Sequence, residues 1–150
     1  MSNATTLTDE QRNILDTLAE MIIPADSVDD GLKAAGFSGI METRNQYQPW
    51  MARIYEVGLK GIQDTSLALF MKSFLDLTSE QRGKVLNTIK SGQSYGDAWT
   101  SDVGPLDFWG NLHTDACFVY CTDQEVYGRI GFPGPSFDRG GYPDYADKQT

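Results

Sequence analysis

The stretch LTDEQRNILDTLAEMIIPAD, residues 7–26, decides the fold of this chain. Thr8 is a favourable N-cap, and Gln11 follows it at the spacing of a capping box in the first turn of a helix. Pro24 ends the helix, because the residue before a proline avoids the helical region. The stretch therefore predicts an amphipathic helix over residues 8–22. Its apolar positions recur at helical spacing and are Ile14, Leu15, Leu18, Met21 and Ile22.

A second stretch, LTSEQR at residues 77–82, closely repeats LTDEQR at residues 7–12. The repeat could reflect a duplicated pair of helices. It could equally reflect the same physics twice, because capping boxes arise wherever a helix of this kind begins. We favour the second interpretation. Residues 77–82 then open a helix that carries Val85, Leu86 and Ile89.

Apolar residues at helical spacing predict further helices in the rest of residues 7–121. The segment 91–104 is rich in Gly, Ser and Asp, which predicts a loop, and Trp99 would anchor it. We expect an all-α fold, a small bundle of about five to six helices over residues 7–121. Residues 1–6 are expected to be disordered. The further helices are a short one over 32–35 that resumes after Gly36, one over 47–59 weakened by Gly58 and Gly61, one over 66–75 capped by Ser66, and one that begins near Pro105.

The amino-acid composition of the chain changes after residue 121. Glycines and prolines become so dense between residues 128 and 143 that we expect no helix there. Aromatic side chains are interleaved with them, whereas disordered tails are usually poor in aromatics. Residues 122–150 are therefore predicted to form an extended Gly/Pro/aromatic arm that binds a partner. The predicted interface residues are Tyr127, Ile130, Gly131, Phe132, Pro133, Gly134, Pro135, Phe137, Tyr142 and Tyr145.

Composition and charge narrow the range of functions. The chain has 150 residues, and its 12 Lys and Arg against 21 Asp and Glu give a net charge of −9. A chain this acidic is a poor candidate for binding nucleic acid or an anionic membrane surface. No apolar run approaches the ~20 residues of a membrane span, so we expect no membrane insertion. Residues 1–6 lack the basic and apolar regions of an export leader, and we expect no export signal in this chain.

One pattern points to an enzyme. GQSYG at residues 92–96 matches the G-x-S-x-G nucleophile elbow of serine hydrolases, with Ser94 as nucleophile and His113 as base. The elbow requires a strand before the serine, whereas residues 85–90 carry a helical pattern. We therefore interpret residues 92–96 as a plain loop and keep the hydrolase as a minor alternative. The candidate acids of that alternative are Asp97, Asp102 and Asp107.

A second pattern is the recurrence of His113, Cys117 and Cys121 every four residues, which places them on one side of a helix. Such a side could present three soft ligands, but zinc sites need a fourth ligand or water and usually draw on two chain segments. The stripe coincides with the apolar side of the predicted helix, so we favour core packing with His113 hydrogen-bonded. We expect no catalytic, cofactor-binding or metal-binding residue in this chain.

Motifs at both ends of the chain resemble those of a known family. The segments LTDEQ (7–11), LAEMIIPAD (18–26) and GLKAAG (31–36) resemble the N-terminal signature of the gluconate 2-dehydrogenase subunit 3 family. The segment YGRIGFPG (127–134) resembles that family's closing G-[FY]-P-G motif. The chain departs from the family pattern in lacking a twin-Arg leader and in reading Asp-Gly-Leu at residues 30–32, where Pro-Gly-Ala is frequent.

The resemblance implies a non-catalytic small subunit that binds, stabilises and helps to export a large partner. That partner would be an FAD-containing dehydrogenase of the glucose-methanol-choline (GMC) oxidoreductase type, acting on a sugar, a sugar acid or the 3-hydroxyl of a glucoside. A cytochrome c subunit carrying haem c, or another acceptor, would take up the electrons. The resemblance also implies a periplasmic complex, with the cytoplasm as the alternative location.

Two other functions stay open from the sequence. The first is a stand-alone helical protein-binding module that uses the arm for an unrelated partner. The second is the small serine hydrolase built on Ser94 and His113.

Overall fold

In the computed structural model, which describes residues 7–131, all regular structure is helical, and this confirms the predicted all-α class. The described range holds seven α-helices and one turn of 3₁₀-helix, where the sequence predicted about five to six helices. The elements are α1 (Asp9–Ile22), α2 (Gly31–Ala34), α3 (Phe37–Tyr47), α4 (Pro49–Phe70), the 3₁₀ turn (Phe74–Asp76), α5 (Ser79–Lys90), α6 (Pro105–Thr122) and α7 (Gln124–Ile130). The centre of the bundle is the pair α4 and α6, because α6 contacts each of the other described α-helices.

Both predicted capping boxes are present. Thr8 Oγ1 accepts the Gln11 N–H at 3.1 Å, and Gln11 Oε1 accepts the Thr8 N–H at 3.0 Å. Thr78 and Gln81 repeat these two bonds at the start of α5, at 3.2 and 3.0 Å. Each box satisfies two backbone donors that a helix start would otherwise leave without an acceptor.

Helix α4 differs from the prediction. The sequence predicted separate helices over 47–59 and 66–75, whereas one helix of 22 residues runs from Pro49 to Phe70. Ser66 does not cap a helix. It is buried inside α4, and its hydroxyl donates to the carbonyl oxygen of Lys72 at 2.7 Å. Phe74 and Leu75, expected on the second helix, lie in the 3₁₀ turn instead.

The glycines of α4 explain why the helix continues through them. A Cβ atom on Gly58 would lie 2.0 Å from the ring of Phe108 on α6, and one on Gly61 would lie 2.2 Å from the ring of Trp99. Both glycines therefore allow close packing, which compensates for their low helix propensity of about 1 kcal/mol each. The predicted role of Trp99 is confirmed, since its ring packs on α4 and anchors the loop over 91–104.

A buried carboxylate joins three helices. Asp115 of α6 is 6% exposed and accepts two hydrogen bonds from the guanidinium of Arg44 on α3, at 2.5 and 2.7 Å. It also accepts the hydroxyl of Tyr55 on α4 at 2.7 Å. Burying a carboxylate is costly unless it is paired and hydrogen-bonded, and here both conditions are met. The three side chains therefore fix α3, α4 and α6 relative to one another.

The ring of Tyr55 extends this cluster into the core. Tyr55 is fully buried and meets Phe108 edge to face, with ring centroids 6.0 Å apart. Burial, together with the neighbouring Asp115 carboxylate, raises the pKa of Tyr55 well above its usual value. The phenol is therefore a proton donor throughout the physiological pH range.

The region after residue 121 also differs from the prediction. It was predicted to be extended from residue 122, but α6 runs to Thr122 and α7 follows almost at once. Asp123 caps α7 by accepting the Glu125 N–H at 2.8 Å, and Val126 is buried. The first proline comes only at residue 133, so a helix over 124–130 loses no hydrogen bond to proline. Residues 1–6 and 132–150, the latter called the C-terminal tail below, lie outside the described residues.

We expect Gly58→Ala to destabilise the protein by about 1–3 kcal/mol, because the added methyl group has no room beside the buried Phe108 ring. The matched control is Gly110→Ala in α6, where a Cβ atom meets nothing within 4 Å. Alanine's better helix propensity should make that variant more stable by about 0.5–1 kcal/mol. Urea unfolding followed by circular dichroism measures both values. Equal stabilisation of the two variants would contradict the close approach of α4 and α6.

We expect Tyr55→Phe to lower the free energy of unfolding by about 1.5–3 kcal/mol, because Asp115 loses a donor while the ring packing is kept. Tyr47→Phe is the control, since Tyr47 is 80% exposed, and it should change stability by less than about 0.5 kcal/mol. Urea unfolding followed by circular dichroism measures the free energy of unfolding of both variants. Native stability in Tyr55→Phe would show that the hydroxyl does not support the buried carboxylate.

Candidate partner interface

The loop between α1 and α2 is closed by its own hydrogen bonds. The Asp26 carboxylate accepts the N–H groups of Val28 and Asp29 at 2.8 and 2.9 Å, and the Asp26 N–H donates to the Asp29 carbonyl at 2.7 Å. Gly31 ends the loop with φ +76°, and a Cβ atom there would lie 2.7 Å from the backbone nitrogen of Ala25. The loop therefore requires glycine at this position.

Asp29 joins this loop to the last two described helices. Its carboxylate accepts a short hydrogen bond from the hydroxyl of Tyr120 on α6 and a 2.7 Å bond from the Gly31 N–H. On α7, the Arg129 guanidinium lies 3.5 Å from the same carboxylate and donates to the Val28 carbonyl at 3.3 Å. The contacts span about a hundred residues of sequence and bring the two ends of the helical domain together.

These contacts change the proton affinity of both partners. The hydrogen bond from Tyr120, then the Gly31 N–H and the charge of Arg129, hold the pKa of Asp29 below its usual value. The same hydrogen bond to Asp29 raises the pKa of Tyr120. Asp29 is therefore ionised, and Tyr120 protonated, at neutral pH.

A groove lies between α2 and α7 next to this contact. Val126 is buried there, and acidic side chains together with Arg129 surround it. The C-terminal tail begins directly after α7, which ends at Gly131 in the left-handed conformation, with φ +71°. The groove is lined by Asp30, Gly31, Ala34, Ala35, Asp123, Glu125, Val126 and Arg129.

Three of the predicted interface residues are within the described range. Tyr127 is partly buried on α7, Ile130 is 63% exposed at the end of that helix, and Gly131 ends it. The other predicted residues lie outside the described residues, and they are Phe132, Pro133, Gly134, Pro135, Phe137, Tyr142 and Tyr145.

Sequence reasoning missed Asp29, Tyr120 and Arg129 as the residues that join the two ends. The available signal was the cluster of acidic residues at 26, 29 and 30, directly before Gly31. The partners could not be inferred, because no local pattern relates a turn to side chains about ninety residues away.

The structure does not assemble the hydrolase alternative. Residues 92–96 follow a helix, α5, and not a strand, and Ser94 is exposed. Among the hydrogen bonds of residues 7–131, none joins Ser94 to His113. Asp102, one of the candidate acids, is instead held by two bonds from Arg53, at 2.7 and 2.9 Å.

The expected core packing of His113, Cys117 and Cys121 is wrong, because all three are exposed. Helix α6 is buried through a different set of positions, so this stripe faces outward. Within residues 7–131, no group of three or more His, Cys, Asp or Glu side chains is placed to hold a metal ion. The buried residues of α6 are Pro105, Phe108, Leu112, Asp115, Ala116 and Val119.

Comparison with known proteins decides the family. The family model described as gluconate 2-dehydrogenase subunit 3 matches residues 9–134, from the first residue of α1 to the Gly-Phe-Pro-Gly segment. The chain belongs to the gluconate 2-dehydrogenase subunit 3 family. Membership implies a subunit of a multi-subunit dehydrogenase complex. Neither a curated protein nor a solved structure gives a significant match.

The helices of this subunit 3 family member were compared with membrane-spanning helices. None of those over residues 7–131 combines the length and the apolar character that crossing a membrane requires.

We expect Asp29→Asn to lower the melting temperature at neutral pH, because the amide loses the charge that faces Arg129 and replaces an acceptor with a donor. The pKa of Asp29 is lowered on folding, so its contribution is present above pH about 4 and is lost as pH falls further. The stability difference between the native chain and Asp29→Asn should therefore shrink below pH about 4. Thermal unfolding at neutral pH measures the change in melting temperature, and urea titrations at a series of pH values measure the stability difference.

The control for this prediction is Asp30→Asn, which makes the same change of charge at the neighbouring exposed residue. Its side chain makes no capping bond to α2, so it should leave the melting temperature unchanged. A difference between Asp29→Asn and the native chain that stays constant from neutral to acidic pH would contradict the role given to the Asp29 carboxylate.

Proposed function

We propose that this chain is the non-catalytic small subunit that binds and stabilises the large FAD-containing GMC-type subunit of a sugar, sugar-acid or glucoside dehydrogenase. The observation that carries the proposal is the family match over residues 9–134. In this proposal FAD and the acid/base residues belong to the large subunit, and this chain contributes binding.

The geometry supports one continuous binding surface. The two motifs that resemble the family lie at opposite ends of the sequence, yet Asp29, in the loop between two segments of the first motif, meets Arg129 of the second. The loop before Gly31 and α7 therefore adjoin one another. A partner that contacts α7 would meet the loop and the groove between α2 and α7 as well.

The composition of the C-terminal tail suits binding to a larger surface. It contains Phe132, Phe137, Tyr142 and Tyr145 among glycines and prolines. Aromatic side chains supply much of the binding free energy at interfaces, and an extended backbone can place them in separate pockets. The tail would then supply anchors, while α7 sets the point from which the tail departs.

We further propose an electron acceptor and a cellular location for the complex. Electrons from FAD would pass to a cytochrome c subunit that carries haem c, and the complex would work in the periplasm. This chain would help the large subunit through export, since a folded complex can cross as one unit. Fractionation of cells that express both chains tests the location, and a complex confined to the cytoplasm would contradict it.

Co-purification with a GMC-type flavoprotein from the same genome tests the proposed function. We expect the full chain to co-purify and a chain ending at residue 131 to fail, because the tail anchors are removed while α7 and the buried Val126 are kept. A chain ending at residue 145 is the matched control, since it loses part of the tail but none of the aromatic anchors.

Each outcome of this experiment has a distinct meaning. Failure of the full chain to bind the flavoprotein would contradict the proposed function. Equal binding by the chain ending at residue 131 would move the interface away from the tail. Circular dichroism of that chain should match the full chain in helical content. The isolated full chain should show no flavin absorbance and no dehydrogenase activity.

A further inference from the structure

The outward side of α6 carries a histidine and a cysteine one helical turn apart. The Sγ atom of Cys117 lies 3.9 Å from Nε2 of His113, and both residues are exposed. Side chains four residues apart on a helix lie one above the other, so the pair is held together by the helix itself. The function proposed above makes no use of it.

The distance between the two atoms suits a shared metal ion. Zinc binds cysteine sulfur at about 2.3 Å and histidine nitrogen at about 2.0–2.1 Å in a tetrahedral shell. Two such ligands at the tetrahedral angle lie about 3.6 Å apart. The observed 3.9 Å therefore needs only a small adjustment of one side chain.

The imidazole ring of His113 is restrained by its neighbours. It packs against the ring of Trp109 with centroids 5.3 Å apart and the two ring planes tilted by 39°. Trp109 in turn lies under the Lys90 ammonium at 4.4 Å. A ring that is already held loses less side-chain entropy on binding a ligand. Nε2 is the ring nitrogen that lies nearest the Cys117 sulfur.

We propose that His113 Nε2 and Cys117 Sγ form a two-ligand site for a borderline-soft divalent ion such as Zn²⁺, with water in the remaining positions. Imidazole and thiolate are the ligands such ions prefer. Binding requires the neutral imidazole and the thiolate, so the thiol proton passes to solvent as the metal–sulfur bond forms. The site is open, because the described protein supplies only part of the coordination shell.

Cys121 is the natural competitor within the same stripe. It lies eight residues from His113, and at a rise of about 1.5 Å per residue their Cα atoms are separated by about 12 Å along the helix. His113 and Cys121 therefore cannot bind one ion together, but Cys117 and Cys121 form a second pair one turn apart. The His113–Cys117 contact favours the first pair.

Titration of the reduced full chain with Co²⁺ tests the site, because a cobalt–thiolate bond gives a charge-transfer band in the near ultraviolet. We expect the native chain to show this band and Zn²⁺ to displace it. Cys117→Ser should remove the band, and His113→Ala should weaken Co²⁺ binding by at least about 10-fold. The matched control is Cys121→Ser, which should bind Co²⁺ as the native chain does.

Three results would overturn the proposal: no thiolate band in the native chain under excess Co²⁺, native affinity in His113→Ala, or loss of the band in Cys121→Ser. The last result would assign the metal to the cysteine pair instead. All three residues are exposed, so the variants should fold, and circular dichroism checks that they do.

Discussion

The buried carboxylate of Asp115 is the constraint on which the arrangement of the helices depends. A charge placed among α3, α4 and α6 has to be matched, and Arg44 and Tyr55 match it from the two neighbouring helices. Because Tyr55 is held, Phe108 packs edge to face against it, and Phe108 in turn occupies the space that Gly58 leaves open. The buried charge and the space left by Gly58 therefore act together at the close approach of α4 and α6.

The rotation of α6 about its axis follows from the same constraint. With Asp115 facing inward, Tyr120 comes to the side of the helix that meets Asp29 in the α1–α2 loop. The stripe that contains His113 and Cys117 is turned away from Asp115 and faces outward. Tyr120 follows His113 by seven residues, so the contact with Asp29 and the pair proposed to bind a metal lie about two turns apart along a similar side of α6.

The Asp29 contact gives the family's two sequence motifs a common physical role. One motif folds into a loop that requires Gly31, and the other begins in α7 and continues into the C-terminal tail. Neither segment is long enough to be stable alone, since α2 has four residues and α7 has seven. Their mutual contacts support them.

The sequence by itself determined the all-α class, both capping boxes, the end of α1 before Pro24, the loop around Trp99 and the family. These features could be predicted because caps, prolines and helical periodicity act within one or two turns. Only the tertiary structure decided that α4 continues through Gly58 and Gly61, that α7 forms, that His113 faces outward and that Asp29 meets Tyr120. Each of these depends on side chains brought together from distant parts of the chain, where packing and the pairing of buried charge outweigh local preference.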